Sequence, residues 1–397
     1  SHEGLGYIHY GVPFGYLAMY CARSAGDRSL DSLFFRRSFW KLLMYCFAST
    51  SDEKHLMTSV DSDHPFGEGL FGLVMGDLHP DSLGYYRYFY DRTIGSGSAL
   101  GGIRKYDQSR LGAVWNLLYY PDTVRARDPS GVFHPALADH EPGAYFFRNR
   151  WKNENDILLG FMGKFEQPDP HGWMIAETFH ISCTAYDSWF ISQTGKEFKH
   201  DRVSGLLVNG AAWGSHDRPH RDAGSLAMFQ KHENGAYLVI HGGQKYENLG
   251  VRAQRHLYVD FEQDSAALVC TLDLLESDSS KRYRWQLNTG TAAGMGDILV
   301  FRGTENGVPF FLMEGKNGGY LKGWSLVPEK VRFRGRDPLF MEVSGCGSRE
   351  IAVLMYLGRG SPPKIIPAGT DAGDRQFHLE HGRVVRISEG RIRYGVR

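Results

Sequence analysis

The feature that most constrains this chain is a change of texture near residue 131 of its 397 residues. Before it, apolar and aromatic residues recur at helical spacing. Residues 10–22 form one such stretch, ended by Gly26-Asp27. Residues 38–47 form a second, apolar almost all round and so expected to be buried. Helical character resumes over 85–90 and again over 113–119, where Tyr120-Pro121 stops it. The stretch 95–102 reads as a glycine-serine linker. After residue 131 come short runs rich in β-branched and aromatic residues, separated by Gly, Asn or Asp: 144–147, 157–161, 174–182, 189–192, 206–208, 236–240, 256–261, 267–272, 283–287, 297–301, 331–333, 351–356 and 384–387. Helices first and strands second imply two domains, not an alternating α/β sheet. The expected fold class is α+β multidomain: a helical domain over residues 1–130 and a large antiparallel β-sandwich over 131–397.

The run His171-Gly-Trp-Met-Ile-Ala-Glu-Thr-Phe179 stands out within the sandwich. It follows the turn signal Gln167-Pro168-Asp169-Pro170, and residues 174–181 alternate as in a strand. A second strand, Trp189 to Gly195, comes next. Polar groups at the mouth of such a hairpin suit a site; His171 as a turn cap and Trp173 as core is the plainer reading.

Lys+Arg and Asp+Glu both number 45, so the net charge is zero. Bulk nucleic-acid binding, which leaves a basic excess, is not expected, and an anionic ligand would depend on local arginines. No apolar run approaches the roughly 18 residues of a membrane helix. Cys21, Cys46, Cys183, Cys270 and Cys346 show no CxxC spacing; they read mainly as small buried hydrophobes, with one long-range bridge left open. The opening Ser1-His2-Glu3-Gly4 reads as protein interior, so the chain is expected to lack the start of its parent.

Several pieces, in order, resemble the heparinase II/III-like polysaccharide lyases and related alginate lyases. His2-Glu3-Gly4-Leu5-Gly6-Tyr7-Ile8-His9-Tyr10-Gly11 looks like that family's "EG-x-x-Y-x-x-YG" segment. Trp115 to Tyr120, followed by Pro142-Gly143-Ala144-Tyr145-Phe146-Phe147-Arg148-Asn149-Arg150-Trp151, looks like the join into its β domain. Residues 171–179 fall on "H-x-H-x-D-x-G-x-F", residues 189–195 on a strand ending "D-x-G", and residues 203–210 on "HNTV-x-VDG". The resemblance implies that residues 1–130 are the C-terminal part of an (α/α) toroid and that the sandwich follows it. It also implies an anionic, uronate-containing polysaccharide as partner, glycosaminoglycan or alginate, and a periplasmic or secreted location, with no nucleic acid and no membrane. The family's second histidine and its aspartate are Trp173 and Ile175 here, and its strand aspartate is Gln193. Indole and amide groups do not replace imidazole and carboxylate around tetrahedral zinc, so neither a structural zinc nor any other cofactor is expected.

The implied reaction is β-elimination. A proton must leave the carbon beside a uronate carboxylate, and the developing dianion must be met by positioned donors or cations. A base takes that proton and an acid returns one to the leaving oxygen; a tyrosine hydroxyl can do either. By the resemblance Tyr10 takes the family's functional tyrosine slot, and His171 that of its sandwich histidine, the two expected to share one groove. Tyr7, three residues before Tyr10, is a substrate contact or the alternative catalytic tyrosine, and His9 also could reach the cleft. Arg148 and Arg150 flank Asn149, and one is expected to point to each face of a strand; either a bidentate grip on a uronate or sulfate or a domain-joining salt bridge fits them. Trp173 fits sugar stacking or core packing equally. The tract His216-Asp217-Arg218-Pro219-His220-Arg221-Asp222 has metal-like spacing but interleaved arginines, and reads as a solvated loop, as does the Asp61, Asp63, His64 cluster. Two other functions stay open: a toroid-type glycoside hydrolase, against which no carboxylate pair stands at the motif positions, and a non-catalytic glycan-binding protein.

Overall fold

The computed structural model describes residues 8–31, 75–93 (without 77 and 79), 118–140, 143–163 (without 154), 178–192, 203–212, 224–262, 265–289, 298–328, 331–371 and 374–396. The chain divides into two compact units, one of Ser1–Phe133 with Trp151–Leu158, the other of His134–Arg150 with Leu159–Arg397.

The first unit contains α1 (Ile8–Ser24) and α2 (Pro80–Thr93). Helix α1 ends at Gly26, whose φ of 85° is the left-handed conformation that closes helices. Tyr16 and Met19, three residues apart, form its buried face. Helix α2 opens on a proline with Asp81 in its first turn, both suited to a helix N-terminus; the apolar stretch 85–90 lies inside it. Arg87 ties α2 to the following segment: its Nη1 donates to the carbonyls of Pro121, Asp122 and Val124, at 2.9, 2.8 and 2.6 Å. Arg127 N donates to Gly84 O, and a Cβ on Gly84 would lie 2.8 Å from the Arg125 carbonyl oxygen. Tyr88 Oη donates to Trp151 O at 2.6 Å, joining the short Trp151–Leu158 segment to this unit. The expected helix 38–47 and the linker 95–102 lie outside the described residues, and the described helices do not display a closed toroid.

The second unit is antiparallel β-sheet. One sheet has five strands in sequence order: β1 (Ala136–Asp139), β2 (Ala144–Arg148), β3 (Leu158–Met162), β4 (His180–Ala185) and β5 (Ser188–Ile191). The largest contains β6 (Gly205–Val208), β7 (Ser225–His232), β8 (Gly235–His241), β9 (Arg252–Glu262), β10 (Ala266–Leu287), β11 (Leu299–Glu305), β12 (Val308–Glu314), β13 (Gly319–Val327) and β14 (Leu339–Arg359). Its order is β11-β12-β13-β14-β10-β9-β8-β7, with β6 paired to β10. A third sheet is β15 (Ile365–Asp371), β16 (Asp374–Leu379), β17 (Arg383–Ser388) and β18 (Arg391–Val396). A short helix, α3 (Gln244–Glu247), connects β8 and β9.

Alternation along the strands sets the layers. Ala266, Leu268, Cys270 and Leu272 of β10 pack in one core with Phe377, Val385, Ile387 and Ile392 of the third sheet. Each fully buried Leu or Ile contributes roughly 1.5–3 kcal/mol. Residues of the other parity face the opposite way, where Trp285, Phe311 and Phe333 meet with ring centroids 4.9 to 6.4 Å apart.

Several expectations are corrected. The strand expected over 174–182 does not run through Phe179: Thr178 and Phe179 form a turn, Phe179 has φ of 69°, and the strand begins at His180. The separate strands at 267–272 and 283–287 are the two halves of β10. Residues 331–333 form no strand; Phe333 instead plugs the aromatic core and Arg334 makes an isolated bridge to Phe340. Cys183 and Cys270 are buried, but Cys21 and Cys346 are exposed, and all four are free. No described helix is long and apolar enough to cross a membrane.

Candidate functional site

His9 and Tyr10 fall in the first turn of α1. Pro13 sits inside the same helix and lacks an N–H, so the His9 carbonyl cannot receive the usual bond from four residues on. Tyr7, His171 and Trp173 lie outside the described residues.

Arg148 is the last residue of β2, 5% exposed. Its backbone N donates to Pro135 O at 2.8 Å, and its side-chain Nε donates to Arg150 O at 2.6 Å. Residues two apart on a strand share a face, so pleating does not send the two arginines to opposite faces as expected. What separates them is the end of the strand: Asn149 and Arg150 have left it, and Arg150 is half-buried. The Arg150 charge also acts on Tyr186, whose hydroxyl burial holds up at about 12 against the opposing pull of Arg150 and Arg359.

The run containing His171 ends on a buried polar clamp. Lys245, fully buried on α3, donates from Nζ to Thr178 O at 2.8 Å. Arg255 of β9, also fully buried, donates from Nη1 to Phe179 O at 2.5 Å. Its Nε and Nη2 grip the two carboxylate oxygens of Asp273 at 2.5 and 2.6 Å, and its guanidinium lies 4.9 Å from the Phe179 ring centroid. The Phe179 ring also stacks on Tyr246, with centroids 5.0 Å apart. Gly205 allows the close approach, since a Cβ there would lie 2.9 Å from Phe179 O. His180 accepts from Ser204 N through Nδ1 at 3.3 Å. Burial, then the charges of Lys245 and Arg255, push its pKa down to about 3, so the ring is neutral at ordinary pH. Its Nε2 and the Thr178 hydroxyl are buried with no partner among the described residues.

Met162 and Phe179, on either side of the segment 164–177, lie together. Phe179 N donates to Met162 O at 2.9 Å. At the same place the segment 213–223 returns to the sheet: a Cβ on Gly224 would lie 2.5 Å from Gly163 O, 2.9 Å from His241 O and 3.2 Å from Thr178 Cγ2. The described residues that border the His171 stretch and the 216–222 stretch, Gly163, Thr178 and Gly224, therefore lie close together in the sheet unit. Sequence reading also missed Lys245, Arg255 and Asp273. The available signal was weak: Arg255 and Asp273 are buried, but each sits in a strand that carries several other charged residues. Among the described residues no group of three His, Cys, Asp or Glu is placed to hold a metal ion. Trp173, Ile175 and Gln193 lie outside them, as do residues 216–222 and the Asp61, Asp63, His64 cluster.

The chain has the fold of solved heparinase III structures. One structure of heparinase III matches with a TM-score of 0.65 at 12% identity, over 98% of this chain and 59% of that one. The heparan sulfate lyase HepC from Pedobacter heparinus matches with a TM-score of 0.64 at 12% identity, over 100% of this chain and 58% of that one. The chain thus spans just under three-fifths of the length of these structures. No protein-family model and no curated protein matches the sequence.

Proposed function

We propose that this chain is the catalytic part of a polysaccharide lyase acting on an acidic, uronate-containing glycan by β-elimination. The observation that carries this reading is the fold match at TM-scores of 0.64 and 0.65 over nearly the whole chain to a heparan sulfate lyase and to heparinase III. The motif order read from the sequence supports the same reading independently. In it residues 1–130 are the end of an (α/α) toroid, and Tyr10 serves as base and then acid. His171 neutralises the uronate carboxylate, with Tyr7, His9, Arg150 and Trp173 as sugar contacts. Arg148, buried and turned onto the Arg150 carbonyl, acts by holding Arg150 in place. The reading places the protein in the periplasm or outside the cell, where such polymers are met.

The test is product chemistry. Elimination consumes no water and leaves a C4–C5 double bond that absorbs in the ultraviolet; hydrolysis leaves no such chromophore. Incubation with a panel of uronate polymers should give rising absorbance, lost in Tyr10→Phe and in His171→Ala. Reducing ends without absorbance would replace the lyase with a hydrolase, and binding without either product would leave a glycan-binding protein.

A further inference from the structure

The third sheet does not cover the whole face of the largest sheet. Beyond the β17–β18 hairpin an open groove remains, in two lobes that share Gln254, Leu274 and Gly390. One lobe, about 440 Å³, is bounded by Gln230, Tyr237, His256 and Arg391. The other, about 370 Å³, is bounded by His241, Arg252, Glu276 and Arg349. Each falls in the size range of small-ligand sites, roughly 300–1,000 Å³. The hairpin tip fits closely between them. Glu389 and Gly390 both have positive φ, 50° and 66°, and a Cβ on Gly390 would lie 3.1 Å from Leu274 Cδ1.

The groove is lined by three arginines, Arg252, Arg349 and Arg391, and three glutamates, Glu276, Glu350 and Glu389, with Arg375 and Arg393 just outside it. Each carboxylate has an arginine of its own: Glu276 faces Arg252 at 3.6 Å, Glu350 faces Arg375 at 3.3 Å, and Glu389 faces Arg393 at 3.8 Å. That leaves Arg349 and Arg391, one per lobe, with no carboxylate partner among the described residues. Arg349 donates only to its neighbour's carbonyl, Ser348 O, at 2.7 Å. At the junction of the lobes a donor is fixed by a hydrogen-bond chain. The Tyr237 hydroxyl donates to His256 Nδ1, because His256 Nε2 meets Gln254 Oε1, an oxygen that can only accept. The proton of this neutral ring is thereby assigned to Nε2, which donates to Gln254 Oε1 at 3.3 Å. The Gln254 amide is thus oriented, with its NH2 left to meet an acceptor in the groove.

We propose that this groove is a non-catalytic binding site for an acidic oligosaccharide, with one carboxylate or sulfate gripped by Arg391, another by Arg349, and a ring hydroxyl held by Gln254 between them. Two guanidiniums in adjoining lobes, an oriented amide and a tyrosine ring suit a pyranose chain that carries anionic groups. The preference for anions stands on the groove alone; the choice of a glycan rests on the lyase reading. Such a site would hold the polymer on the sheet unit while other residues cleave it.

The test uses the full chain carrying Tyr10→Phe, labelled with 15N-glutamine, and two probes: a sulfated, uronate-containing octasaccharide and a neutral glucose oligosaccharide of equal length. The Gln254 side-chain amide resonances should shift on adding the acidic probe and not the neutral one. Arg349→Gln with Arg391→Gln should weaken that response at least tenfold, with the melting temperature kept and, in the Tyr10 protein, ultraviolet product formation from a short substrate unchanged. An equal response to the neutral probe, or an undiminished response in the double variant, overturns the proposal. If the Tyr10 protein forms no unsaturated product but the arginine-dependent response persists, the lyase reading fails and the groove stands.

Discussion

Arg255 and Asp273 meet in a two-point ion pair from which water is excluded, both side chains being 0% exposed. The pair does more than neutralise charge, because the third arm of the same guanidinium holds Phe179 O at the foot of the His171 run. Removing one partner of a buried pair strands the other charge and costs about 3–5 kcal/mol. Asp273→Asn should therefore lower the urea midpoint strongly. Replacing both, as Arg255→Met with Asp273→Leu, should recover most of that stability, since apolar isosteres of buried pairs are often neutral. In the lyase reading, turnover should stay low in the double variant, because the anchor on Phe179 is still missing. Full recovery of turnover would show that the pair has no part in fixing that segment.

Acid should destabilise the protein between pH 6.5 and about 4. Burial, with neighbouring cations, pushes His180 down to about 3 and His256 to about 4, from 6.5. The unfolded chain therefore binds up to two more protons than the folded one in that window, and stability falls as pH falls. Asp260 works the other way. Its burial raises its pKa from 3.8 to about 6, so its contribution is fully present below 3.8 and is lost as pH rises through about 6. These three groups leave an excess of about one proton between pH 6 and 4, or about 1.4 kcal/mol per pH unit. Urea midpoints across this range should follow that slope. It should flatten in His256→Gln and steepen in Asp260→Asn; a His256→Gln slope equal to that of the parent would contradict the assignment.

Much of the sheet unit was legible because its strands alternate and its turns carry Gly, Asn or Asp. The failures have physical causes. The middle of β10, from Asp273 to Lys281, reads as a polar break, yet pairing with the long strand β14 holds both sides of it, as far as Ser277 and again from Lys281, with Glu276, Asp278, Ser279 and Ser280 exposed. Strand β13 was missed because it contains two glycines and a lysine. Gly323 is required there, since a Cβ would lie 2.3 Å from the Phe311 ring, and Lys322 is buried against Glu305 at 3.1 Å. Strand β7 is an edge with mixed burial and no clean period. The clamp on Thr178 and Phe179 was illegible for a different reason: Lys245 is 67 positions from the carbonyl it holds, and no local pattern encodes such a contact.

Gly224 should tolerate no side chain. The two closest atoms to its would-be Cβ are backbone oxygens, of Gly163 and His241, at 2.5 and 2.9 Å, so relief requires moving the roots of both histidine-bearing segments. Gly224→Ala should cost about 1–3 kcal/mol, as overpacking does, and should lower turnover beyond what the loss of folded protein explains. Gly131→Ala is the comparison: φ is 81° with nothing within 4 Å, so only a backbone cost on the order of 1 kcal/mol applies. Equal turnover in the two variants, after correction for folded fraction, would separate Gly224 from the function.

Arg148 and Arg150 should fail in different ways when changed. Arg148 is buried and spends its Nε on the Arg150 carbonyl, so Arg148→Ala leaves that acceptor unsatisfied and opens a cavity, with a stability loss of about 2 kcal/mol or more. Arg150 is half-buried beyond the strand end, and in the lyase reading its guanidinium meets the uronate. Arg150→Ala should raise KM roughly tenfold, about 1.4 kcal/mol, with a smaller loss of stability than Arg148→Ala. Arg150→Lys should restore only part of the affinity, because an ammonium cannot present the two parallel donors of a guanidinium. Steady-state ultraviolet kinetics beside urea melts on the three variants would show the split. Unchanged KM in Arg150→Ala would remove Arg150 from the sugar contacts and leave both arginines as supports of the strand end.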